Sequence, residues 1–207
     1  MEERSNMQDA KRRADELRAY LLWQADGWTF PPSDWEAEII GELQAMQGYI
    51  IPRLPDAEMI ERELRPNECH ANARWCEDND ARGGTKAVAG WWLQGTEFVL
   101  HSVVSYDGEL CCVTPSSLGE REIIFYPDPL IAWTQRDGSL AAVRGGRTIG
   151  LGVRRFPAFT IARHELVRMR LKIGMAPDQA KMFSQKEIER LLARHLSPEE
   201  RALVGAQ

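Results

Sequence analysis

The chain is short of cysteine, of long apolar runs and of positive charge, and each shortage removes a class of function. Its four cysteines are Cys69, Cys76, Cys111 and Cys112. They are too few for a disulfide-dense scaffold, and two of them are adjacent. A vicinal disulfide is rare, so the four read as reduced thiols in a reducing compartment. No apolar stretch approaches the roughly twenty residues that cross a bilayer. The opening text, MEERSNMQDAKRRADEL, is charged throughout and lacks the apolar core of a signal peptide. A cytoplasmic location is therefore expected, with no membrane partner. Lysine and arginine total 26 against 31 acidic residues, a net charge of −5, so no nucleic-acid partner is expected. The text also holds no CxxC, no HExxH and no GxxxxGK[ST]. The glycines of RGGRTIGLG form no phosphate cradle between a strand and a helix, and no cofactor is expected.

What is present suits an ordinary soluble fold. A chain of 207 residues, 43% hydrophobic and 28% charged, fits one compact domain with helical additions. Three regions stand out. Residues 1–65 read as helical: Ala10, Ala14, Leu17, Tyr20 and Leu21 recur at helical spacing, and Ser33-Asp34-Trp35-Glu36 is a capping-box pattern opening a second helix. PDAEMIERELR reads as a third, ended by Pro66. Residues 136–207 begin with a Gly- and Arg-rich hairpin or ordered loop. Helices follow, among them one opened by the capping box Ser184 to Glu187 and one by Ser197-Pro198.

The middle region, 66–135, carries the chemistry. CHANARWCEDND reads as a helix with Cys69 at its start. A thiol there feels unpaired backbone N–H groups and the positive end of the helix dipole, which favour its thiolate. AVAGWWLQ, EFVLHSVVSY and ELCCVTP read as strands, and FYPDP as the exit from the sheet. Trp91 and Trp92 then fall on opposite faces of one strand. Asp107-Gly108 is a strong signal for a two-residue turn. That turn pairs Tyr106 with Glu109 and, continued outward, His101 with Thr114. His101, Val103, Leu110, Cys112 and Thr114 then share one face, with Cys112 diagonal to His101. A helix packed on that face would present the Cys69 sulfur to the imidazole. Cys76 fits a core position, His70 an exposed one, and Asn72 a structural hydrogen bond.

The set EC-H-x-N-A, G-W, H-S-V, D-G, T-P and F-x-P-D resembles a group of bacterial and phage proteins. That group in turn resembles the papain-like cysteine hydrolases, which include NlpC-type and transglutaminase-like families. The resemblance spans about residues 66–129. It implies a nucleophile at Cys69, a general base at His101, and a third polar residue on the next strand that orients the imidazole. The matching third position is Cys112, where Asp or Asn is usual. A neutral thiol accepts hydrogen bonds poorly and cannot stabilise an imidazolium as a carboxylate does. Thr114, Asp107 or Asn72 could supply the orientation instead.

The expectation is an α+β protein: a small antiparallel sheet against a nucleophile-bearing helix, flanked by N- and C-terminal helices. The expected activity is hydrolysis or acyl transfer at an amide, isopeptide or ester bond of a peptide or protein substrate, through Cys69 and His101. Two rivals stand beside it. One is a catalytically inactive papain-like interaction protein of phage or mobile-element origin. The other is a small zinc-binding protein using cysteines and histidines of the middle region.

Overall fold

The computed structural model describes residues 2–115, 120–136 and 138–204. Along the chain run helices α1 (Glu2–Trp28) and α2 (Asp34–Ala45), strand β1 (Tyr49–Pro52), and helices α3 (Asp56–Glu61) and α4 (Cys69–Asp78). Strands β2 (Thr85–Gln94), β3 (Glu97–Tyr106), β4 (Glu109–Cys111) and β5 (Glu122–Pro127) follow. Then come β6 (Ile131–Arg136), β7 (Ser139–Arg144), β8 (Arg147–Thr148) and β9 (Gly152–Arg154). Helices α5 (Pro157–Lys172), α6 (Pro177–Ala180), α7 (Gln185–His195) and α8 (Pro198–Val204) close the order. This is the α+β architecture expected from the sequence. No helix among the described residues is long and apolar enough to cross a membrane.

The residues form two compact units, one of Met1–Asp34 with Arg154–Gln207 and one of Trp35–Val153. The first is helical. Leu21, Val167, Leu171 and Ala180 form one apolar cluster in it; Phe156, Phe159 and Leu196 form another. Both C-terminal capping signals are realised. The Ser184 hydroxyl accepts from the Glu187 backbone N–H while the Glu187 carboxylate accepts from that of Ser184. Ser197 and Glu200 exchange the same pair of bonds at 3.2 and 2.7 Å.

The second unit holds the sheets. The larger runs in the order β1-β5-β2-β3-β4, with β9 beside β3; the smaller is β6-β7-β8. Asp107 (φ 49°) and Gly108 (φ 92°) form the two-residue turn, and the register is Tyr106↔Glu109, Ser105↔Leu110, Val104↔Cys111. The ladder stops there. Cys112 bonds across to the other end of the sheet instead, its N–H to the Pro52 carbonyl and its carbonyl to the Leu54 N–H, both 2.9 Å. The expected pairing of His101 with Thr114 is thus replaced by contact of the Cys112 backbone with the end of β1. Two strands lie where none was expected. YIIP, within the stretch read as helical, pairs with β5, and β5 carries the chain through Phe125-Tyr126-Pro127 before it leaves the sheet. Both are short β-branched runs ended by proline, and such runs give no clear period.

Alternation sorts the core into two sides. Ile51, Val103, Cys112, Ile123 and Phe125 cluster with Val88, Trp92 and Leu110 on the inner side. On the other side Ala73 and Cys76 of α4 pack with Val104, Val113, Met59 and Leu64. Trp91 faces away from Trp92, as expected, into a cluster with Ile39, Leu43, Phe98 and Val153. Gly90, between the inner Val88 and Trp92, has no room for a side chain: a Cβ would lie 2.3 Å from the Tyr126 carbonyl oxygen.

A buried carboxylate ties this outer cluster together. Asp128 Oδ2 accepts from Trp91 Nε1 at 2.8 Å and from Arg144 Nε at 2.6 Å, and Oδ1 accepts from the Leu130 N–H at 3.0 Å. Arg144 also meets Glu42 of α2 at 2.6 Å. Asp128→Ala would leave the Trp91 N–H and part of a buried guanidinium unpaired. The expected cost is about 3 kcal/mol of stability. Urea unfolding measures it, and Trp91→Phe, which removes only one donor, should lose about 1 kcal/mol.

Candidate functional site

Cys69 is the first residue of α4, and Glu68 before it makes no side-chain cap. The helix start is therefore left with backbone donors to spare. Two of them, the N–H groups of His70 and of Cys69 itself, and the N–H of Ser102 on β3 act on the sulfur. Ser102 has its N–H available on this side because β4 has already left β3 at Cys111. Burial acts against these donors and is the larger effect. It pushes the thiol up to about 11; the Ser102 N–H pulls it down and the nearby Cys112 pushes it up again.

His101 sits on β3, 3% exposed. Its Nε2 is 3.3 Å from Cys112 Sγ, and its ring lies 5.3 Å from that of Trp92 and 6.4 Å from that of Phe125. Burial drives the imidazole down to about 3, helped by the neighbouring His70 ring, whose protonation would compete, and by the Arg53 guanidinium. Cys112 is thus at the ring of His101 although its backbone has left β3. The Cys112 thiol is also raised, chiefly by burial, with Arg53 acting in the opposite sense.

The placement of α4 differs from the expectation. Side chains alternate along β3, so Ser102 and Val104 lie on the opposite side from His101 and Val103. α4 packs on the Ser102 and Val104 side. Among the described residues no hydrogen bond joins Cys69 to His101 or Thr114 to His101. Thr114 serves elsewhere. Its hydroxyl accepts from Asn72 Nδ2 at 3.4 Å, and its carbonyl accepts from Arg53 Nη1. Asn72 clasps the Arg65 backbone, accepting from its N–H at 3.0 Å and donating to its carbonyl at 2.8 Å. Asp107 stays in its turn.

His70 overturns an expectation outright. It is not exposed: Nδ1 lies 2.6 Å from Ser102 Oγ, and the ring meets Trp133 edge-on at 4.3 Å. Burial holds its pKa down to about 4. Sequence reasoning also missed Arg53, which lies under Trp92 and acts electrostatically on both His101 and Cys112. Only the register of an unrecognised strand would have placed it. Among the described residues no group of three His, Cys, Asp or Glu side chains is arranged to hold a metal ion. An open cleft of about 800 Å³ runs along α4, walled by Glu58, Arg62, Glu63, Glu68 and Trp75; neither Cys69 nor His101 lines it.

The histidines fix a pH response. The folded pKa values of His70 and His101, about 4 and about 3, lie below the ordinary 6.5 of an unfolded histidine. The unfolded chain then binds protons that the folded one refuses. Stability is complete above about pH 6.5 and falls as pH drops toward 3, by about 1.4 kcal/mol per pH unit for each histidine. His164, held down to about 3 chiefly by burial, adds a third such contribution. Urea midpoints between pH 7 and 4 should show this slope, and His101→Gln should remove about a third of it.

Comparison with known proteins adds no relative: no protein-family model, curated protein or solved structure matches the chain.

Proposed function

We propose that the unit Trp35–Val153 keeps a papain-like layout without its chemistry and works as a non-catalytic interaction module for a peptide or protein. The observation that supports this is the state of the two reacting groups. Cys69 is held near 11 and His101 near 3, so both resting forms are neutral. Burial opposes the charged form of both, so passing the proton from thiol to imidazole would place two ions where water is excluded. Cys112 cannot offset this, because a thiol does not stabilise an imidazolium. All four cysteines are free thiols, which fits the cytoplasmic location this reading takes.

A second reading keeps the expected hydrolase or acyl-transferase. It is favoured by the three N–H groups around the Cys69 sulfur. Donors so gathered at a helix start suit an oxyanion as well as a thiolate. In that reading Cys69 attacks a carbonyl and His101 accepts the thiol proton.

Thiol labelling separates the two. With iodoacetamide at pH 6, Cys69 is expected to react no faster than an ordinary accessible cysteine, its rate climbing about tenfold per pH unit up to pH 9. Selective, fast modification of Cys69 at pH 6, read by mass spectrometry, would restore the hydrolase. A complementary variant, Cys112→Asp, places a carboxylate beside His101 Nε2. The imidazole pKa, followed by NMR, should rise by about 1–3. An unchanged value would show that position 112 does not control the base.

A further inference from the structure

We propose that Arg53 anchors a recognition site for an oxyanion, in the first instance the carboxylate of a bound ligand. The site goes beyond the reading above and stands whether or not Cys69 reacts. Arg53 follows β1, and its side chain is only 3% exposed. One arm is used: Nη1 donates to the Thr114 carbonyl. The guanidinium carbon lies 5.4 Å from the centre of the Trp92 ring. The other edge is unused among the described residues, where Nε and Nη2 are buried with no hydrogen-bond partner. Glu120 comes nearest, its carboxylate 3.9 Å from Nη2. That separation supplies attraction but no hydrogen bond.

Buried donors of a charged group are rarely left unmade, because the lost hydration has no replacement. Nε and Nη2 form the side edge of the guanidinium, two parallel donors that match the two oxygens of a carboxylate or phosphate. Besides Glu120, Arg53 acts electrostatically on a thiol, Cys112, and an imidazole, His101. Neither brings a negative charge in its resting form. Trp92 covers one face of the cation and adds an apolar wall. Glu120 is 31% exposed at its side chain, against 3% for Arg53, so it marks the side on which the fork approaches solvent. An entering anion would take both donors and compete with the Glu120 carboxylate for the cation.

The test uses the full chain with sodium acetate and sodium phosphate as separate probes, against sodium chloride at equal ionic strength. Two readouts are followed: the unfolding temperature and the Arg Nε–H resonances in ¹⁵N NMR. Expected is a saturable rise in unfolding temperature, half-complete at millimolar anion, with a shift of one Nε–H resonance that Arg53→Lys removes. Stronger acetate binding marks a carboxylate ligand; stronger phosphate binding marks a phosphorylated one, and either supports the oxyanion site. Arg53→Lys should weaken half-saturation by about tenfold, since an ammonium cannot offer the fork. Glu120→Gln should tighten it by about threefold, because a competing charge is gone. Should Arg53→Lys fail to fold, the wild-type resonance and Glu120→Gln decide. A non-saturable salt response, equal in wild type and Glu120→Gln and without movement of any Nε–H resonance, would overturn the proposal.

Discussion

The structure turns on one residue's backbone. At Cys112 the chain stops pairing with β3 and spends its N–H and carbonyl on Pro52 and Leu54. Those two bonds join the outer strands of the sheet path, β4 and β1. A sheet with its ends joined has a genuine inside, and Val103, Ile123 and Phe125 fill it. His101 is then an interior residue. The same departure frees the Ser102 N–H for Cys69.

Desolvation decides the chemistry that follows. The helix start offers Cys69 everything that lowers a thiol pKa, and burial still wins. A helix terminus contributes about 0.3–1 kcal/mol to a nearby charge, while removing water from an ion costs several. The histidines obey the same ranking. His70 has a hydroxyl partner and His101 a thiol partner, and neither compensates for the lost water. A site that needs two ions is poorly served by an interior that penalises both. Opening to solvent, rather than better alignment alone, is what would make this pair reactive.

Much of the local structure was legible. Asp107-Gly108 fixed three residue pairs because a two-residue turn admits a single register. Ser184 and Glu187 formed the capping box their spacing implies. Trp91 and Trp92 separated because side chains alternate. The site was legible only by half. Alternation says which residues share a side of the sheet but not on which side a helix docks. Side-chain alternation put His101 and Cys112 on one side, and they meet there at 3.3 Å; the docking of α4 on the Ser102 and Val104 side was not written in the alternation. Tyr49–Pro52 was hidden because three residues between Gly48 and Pro52 show no period, and Arg53 was hidden with it.

The thiol at position 112 and the unsatisfied guanidinium of Arg53 are best understood together. The resemblance places a polar acceptor, often a carboxylate, where Cys112 stands. An aspartate there would face His101 and lie within the field of Arg53, and its negative charge would serve both cations at once. With a neutral thiol instead, His101 loses the group that would keep it basic, and Arg53 loses a counter-charge. A neutral thiol at 112 therefore leaves burial unopposed at His101 and gives the free edge of Arg53 no acceptor, among the described residues. In the reading proposed here, Arg53 remains as a fixed, buried positive charge. A fixed positive charge with free donors is the physical basis of anion recognition.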